Sequence, residues 1–154
     1  MKHVDKYVSE FLGTLILLLA IVGSGMMGQA MTQNEAVVLL ANSLAIGFTL
    51  VFLIITFGKR SGAHFNPAVT LVMLLLGNIK LKRSAIYIFM QILGARTGVI
   101  IANIIFGYDV VELSTKYRSG NHILFSELIS TFGLLMIILP VSYTHLTLPT
   151  TCSV

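Results

Sequence analysis

Residues 61–78 read Ser-Gly-Ala-His-Phe-Asn-Pro-Ala-Val-Thr-Leu-Val-Met-Leu-Leu-Leu-Gly-Asn. The apolar part, Pro67–Leu76, is ten residues long. That is about half of the roughly 20 residues a helix needs to cross a bilayer core, and it falls in the range of re-entrant segments. Pro67 suits the first turn of a helix, where its missing N–H is no loss. Gly77-Asn78 is a helix stop. The stretch therefore reads as a half-helix that dips into a membrane and returns on the side it entered.

Four longer apolar runs surround it, at about 7–27, 36–57, 84–106 and 123–139. They contain, respectively, Glu10, no charge, Arg96 and Glu127 as charged residues. Each approaches the length of a membrane span, and a helix satisfies its own backbone in hydrocarbon. The first run exceeds the ~7–15-residue core of a signal peptide, and three more follow it. With 56% hydrophobic and only 10% charged residues, the composition excludes an ordinary soluble domain. The net charge of +4 is carried by short basic clusters between apolar runs. That pattern fits a membrane face and not the continuous basic surface that nucleic acid requires. The single cysteine, Cys152, builds neither a disulfide framework nor a zinc site.

Charge sets the orientation. With a cytoplasmic N-terminus and a re-entrant 67–76, Lys2, Lys6, Lys59, Arg60, Lys80, Lys82 and Arg83 face the cytoplasm, and Lys116 and Arg118 face outside. A crossing at 67–76 would move Lys80, Lys82 and Arg83 to the other side and weaken the seven-to-two bias to four against three on the flanking loops.

The first and fourth spans repeat a pattern: Ser9-Glu10-Phe11-Leu12-Gly13-Thr14 against Ser126-Glu127-Leu128-Ile129-Ser130-Thr131, offset by 117 residues. An odd number of spans separates the copies, so the second enters the membrane from the opposite side, as in an inverted-topology repeat. A second half-helix is then expected near residue ~183, outside this sequence. Residues 1–139 read as the first repeat plus the first helix of the second. Residues 140–154, Thr-rich and without Lys or Arg, read as a non-native tail, because a span ending in the cytoplasm is normally followed by basic residues.

The candidate chemistry lies in Gly62, Ala63, His64, Phe65, Asn66, Pro67 and Ala68. Irregular backbone at membrane depth must be buried in protein or line a cavity. Gly62 and Ala63 allow close passage and leave carbonyls as acceptors. Asn66 is placed to cap the half-helix, which would turn its NH2 group toward a lumen. The positive end of the half-helix adds to that donor. A donor in a positive field suits neutral acceptor molecules and repels protons and cations. His64 is either a brace of the loop or a lining residue. Glu10 and Glu127, acids inside spans, are functional candidates; their two-fold pattern points to carboxylates that each accept backbone N–H groups of a re-entrant loop. For Glu127 the expected donors lie between Ser61 and Asn66. Gly13, Gly47, Gly94 and Gly98 read as close-packing points. Arg96 is a mid-span misfit.

The stretch SGAHFNPAVT closely resembles the first signature loop of the aquaporin/glycerol-facilitator (major intrinsic protein) family. The SEFLGT start, Gln91, Gly94-Ala95 and the Glu127 region resemble it too, over roughly 7–139. The resemblance implies an all-α membrane fold of four transmembrane helices plus one re-entrant half-helix, an incomplete inverted repeat. It implies a passive channel for water or small uncharged solutes, without cofactor, metal or enzymatic activity, in contact with membrane lipid. It also implies a multi-pass protein of the plasma membrane and a homotetramer in the complete form. Gln91 is then loop-supporting, and Ile46 stands at a selectivity position. A branched aliphatic there leans toward glycerol-like solutes. Two other readings are a truncated fragment that does not transport and, weakly, a membrane enzyme built on His64 and Glu127.

Overall fold

The computed structural model describes residues 4–110 and 120–146, with side chains given up to residue 136. Of the expected tail 140–154, residues 147–154 lie outside the described residues, Cys152 among them, as do Lys2, Lys116 and Arg118. Five helices follow one another: α1 (Val4–Met31), α2 (Glu35–Ser61), α3 (Pro67–Leu75), α4 (Leu81–Ile105) and α5 (Asn121–Leu146). The chain divides into two units, 1–113 and 114–154. The first holds α1–α4 and the second holds α5.

Helices α1, α2 and α4 are long and apolar enough to cross a membrane. At 25–28 residues they extend roughly 38–42 Å, beyond the ~30 Å hydrocarbon core. The helices outrun the apolar windows in the sequence because they continue into polar ends. Thus α2 reaches Ser61, α4 begins at Leu81, and the backbone of α5 passes Pro140 to Leu146. The start of α2 is capped by Asn34, whose Oδ1 accepts from the N–H groups of Ala36 and Val37 at 3.0 and 3.4 Å. Its end is closed by Gly62 at φ 94°, whose N–H donates to the Gly58 carbonyl at 2.9 Å.

Within the first unit, α1 packs on α2 and α4, and α3 packs on α4. Small residues set the α1–α4 approach. A Cβ on Gly94 would overlap the Phe11 carbonyl, and one on Gly98 would overlap that of Leu15. Dispersion between close backbones substitutes here for a hydrophobic drive that lipid does not supply. Gly13 has the same role toward the loop, since a Cβ there would strike the Phe65 ring. Gly47 is a correction to the sequence reading: nothing lies within 4 Å of its would-be Cβ, because it faces outward on α2. The α1–α2 seam is pinned by the Ser24 hydroxyl, 2.8 Å from Asn42 Oδ1.

Tyr87 near the start of α4 fixes how the ends meet. Its hydroxyl donates to the Ser61 carbonyl at the end of α2, at 2.9 Å. Its ring stands edge-on to Tyr7, at the start of α1, with centroids 5.8 Å apart. So α1 begins, α2 ends and α4 begins at one end of the bundle, and the segment between α2 and α4 enters and leaves there. The nine-residue α3 is bounded as its sequence demands, by Pro67 in its first turn and by Gly77 at φ 76° after its last. There the Gly77 N–H bonds to the Leu74 carbonyl and the Asn78 N–H to that of Met73, which closes the helix with a paired left-handed stop.

Candidate functional site: the buried hub under the re-entrant loop

The loop between α2 and α3 turns sharply. Ala63 and Phe65 adopt φ 51° and 47°, following Gly62 at 94°. Left-handed backbone costs a non-glycine residue roughly 1–2 kcal/mol, so something must hold it. The holder is Glu10, which is fully buried. Its Oε1 accepts from the His64 N–H at 3.1 Å, and its Oε2 from the Phe65 N–H at 2.8 Å. Gln91 Nε2, also fully buried, donates to Glu10 Oε2 at 2.8 Å and to Thr70 Oγ1 at 2.9 Å. Three donors on one carboxylate offset its desolvation.

Thr70 completes the hub from α3. Its Oγ1 donates to the Asn66 carbonyl at 3.1 Å and lies 3.1 Å from His64 Nδ1. A hydroxyl has one proton and two lone pairs. With Gln91 as one donor and the Asn66 carbonyl as acceptor, His64 Nδ1 carries the hydrogen in the remaining bond, leaving Nε2 as an acceptor in the neutral ring. The imidazole also packs edge-on against Tyr87, with centroids 5.4 Å apart. His64 is thus a brace, and it is also partly exposed. Gln91 Oε1 is buried without a hydrogen-bond partner among the described residues.

Asn66 caps α3 as the sequence suggests. Its Oδ1 accepts from the Ala68 N–H at 2.8 Å, which commits the oxygen to the helix and leaves Nδ2 as the remaining side-chain donor of a half-buried residue. Pro67 and Ala68 follow in the first turn, half-buried as well. Gly62 is exposed and Ala63 is buried. Phe65 is corrected as a lining side chain. It is 2% exposed and packs with Leu53 and Ala63 under Gly13, edge-on to Phe57 at 6.1 Å. Its ring belongs to the core of this unit. Ile46 is half-buried on α2.

Two of the loop N–H groups expected to go to Glu127 go instead to Glu10. Glu127 lies on α5, in the second unit, with an exposed side chain. Tyr87 is not among the residues the sequence singles out, and Thr70 stands in the quoted loop without a role of its own. Thr70 had a signal, since four residues after Asn66 its hydroxyl falls back on the Asn66 carbonyl. Arg96 is exposed on the face of α4 opposite Gln91, Gly94 and Gly98, and makes no ion pair among the described residues.

Comparison with known proteins agrees with this architecture. The family model described as "Major intrinsic protein" matches residues 1–148. The chain belongs to the major intrinsic protein family. It is 42% identical over 134 residues to aquaglyceroporin AqpS of Rhizobium meliloti (strain 1021), covering 87% of this chain and 58% of that protein. It is 35% identical over 133 residues to aquaporin TIP1-2 of Musa acuminata, covering 82% and 52%. It is 35% identical over 136 residues to aquaporin-4 of Mus musculus, covering 84% and 42%. The chain thus spans about half the length of the curated relatives it matches. Family membership and the apolar helices make it an integral membrane protein of all-α fold.

Proposed function

We propose that this chain supplies half the wall of a passive channel for water or small uncharged solutes. The observation that carries this reading is the capped, braced Asn66. Its oxygen is held by Ala68, and its Nδ2 is a donor at the positive end of α3. A fixed donor there offers a permeant a hydrogen bond to replace one lost from water, and disfavours cations. Glycerol-like solutes fit the aliphatic Ile46 better than a strict water filter does. The likeness to a protein named an aquaglyceroporin leans the same way.

The inverted repeat assigns Glu127 the part that Glu10 plays, holding a second re-entrant loop contributed by the other half. Until that half is present, the lumen has one open wall, and this chain alone does not conduct. The complete protein is a plasma-membrane homotetramer with a cytoplasmic N-terminus; the gathering of Lys6, Lys59, Arg60, Lys80, Lys82 and Arg83 at the end of the bundle where α1 and α4 begin and α2 ends supports the orientation. Channel function is favoured over hydrolysis because His64 is engaged by Thr70 and Tyr87. Light scattering of vesicles under an osmotic step tests the proposal: Asn66→Leu in the complete protein abolishes most of the protein-dependent flux. Unchanged flux would remove Asn66 from the mechanism.

A further inference from the structure

A groove of about 790 Å³ opens between the start of α1 and the end of α2. No residue of the Glu10–Gln91–Thr70 hub lines it. Lys6, Lys59 and Arg60 line it against a single acid, Asp5. None of these four makes an ion pair within the described residues, so a positive excess stays uncompensated. The apolar part of the wall is formed by Val8, Leu12 and Phe57. Val8 and Leu12 stand one turn apart on α1, 41% and 37% exposed, past Lys6 toward the interior of the span. Phe57 precedes Lys59 on α2 in the same sense. The Ser9 hydroxyl is committed to the Asp5 carbonyl at 2.6 Å, so the charged side chains provide the recognition.

We propose that this groove binds the headgroup of an anionic phospholipid, with its phosphate among Lys6, Lys59 and Arg60 and the first part of an acyl chain along Val8, Leu12 and Phe57. Cations at the helix ends and apolar residues from about half a turn to nearly two turns inward reproduce the polarity of a lipid across the membrane boundary. Basic recesses between transmembrane helices suit anionic headgroups. A soluble anion would satisfy the cations and leave the apolar wall unused, so the occupant is a lipid. None of the loop residues 62–68 lines the groove, and the lipid reading does not rest on the permeation reading.

Titration of the detergent-solubilised full chain with fluorescent phosphatidylglycerol and, in parallel, phosphatidylcholine tests it. Phosphatidylglycerol binds saturably and phosphatidylcholine does not. Lys59→Gln with Arg60→Gln weakens binding by about fivefold per cation removed. Lys82→Gln, a cation at the same end but outside the groove, leaves binding unchanged. All these side chains sit at helix ends, so helicity by circular dichroism stays at the wild-type level. Equal binding of both lipids, an equal loss in Lys82→Gln, or displacement of the lipid by inorganic phosphate as readily as by unlabelled phosphatidylglycerol would overturn the proposal.

Discussion

The carboxylate of Glu10 accepts the backbone N–H of Phe65 at 2.8 Å, across 55 residues of sequence. This bond joins the first helix to the strained turn that precedes α3, and the same carboxylate takes the N–H of His64 and the amide of Gln91. Removing the acceptor should therefore cost more than removing the charge. Glu10→Leu strands three buried donors, at about 1–3 kcal/mol each. Glu10→Gln keeps one acceptor oxygen and loses less. Thermal unfolding in detergent should rank wild type above Glu10→Gln, and Glu10→Gln well above Glu10→Leu. A Leu variant that melts with wild type would show that the loop holds itself.

Gly13 makes room for Phe65. Gly13→Ala places a Cβ against the Phe65 ring and should destabilise by about 1–3 kcal/mol, as overpacking does. Phe65→Leu in the same chain should recover part of that loss. Gly47→Ala is the contrast, because its surroundings are open. It should be neutral or stabilising by up to ~1 kcal/mol through helix propensity. A double-mutant cycle that finds no coupling between positions 13 and 65 would contradict the packing described.

How far the sequence reaches can be judged at these positions. The limits of α3 were legible because Pro67 and Gly77-Asn78 act through local backbone chemistry. The acceptor role of Glu10 was legible because an acid inside a span needs donors. Tyr87 is not singled out by the sequence, since its importance depends on what α4 brings near the end of α2, and the contact of Thr70 with Gln91 is hidden for the same reason. Gly47 was misread for a related reason: a glycine in a helix shows that an approach is possible, not that a partner is there. Phe65 looks like a lining residue in the motif, yet its ring is buried against Leu53 and Ala63, a placement that depends on which helices surround the loop. The N–H groups assigned to Glu127 went to Glu10 because the two Ser-Glu copies are equivalent in pattern and only tertiary structure chooses between them.

The shared end of α1, α2 and α4 has a direct topological consequence. In a Cys152→Ser background, Lys59→Cys and Lys82→Cys should react with a membrane-impermeant maleimide from one face, and Thr32→Cys from the other. Labelling of positions 59 and 82 from opposite faces would make α3 part of a crossing and dissolve the re-entrant geometry.

Glu127 should matter in the complete protein in the way Glu10 matters here. Glu127→Gln should retain most of the folded yield, whereas Glu127→Leu should lower yield and permeability together, by stranding donors of the second loop. Normal yield and flux in the Leu variant, measured by fluorescence-detected size exclusion and vesicle light scattering, would leave Glu127 without the proposed part.

The central claim is that this chain is half of a passive pore for neutral solutes. Its most direct test is stopped-flow light scattering of vesicles carrying this chain alone, or this chain joined to a second repeat from a family relative. The account predicts shrinkage at the empty-vesicle rate for the chain alone. For the joined protein it predicts accelerated water or glycerol movement without ion conductance. Joined protein that is folded and inserted yet adds no solute or water flux, or that passes ions, would contradict it.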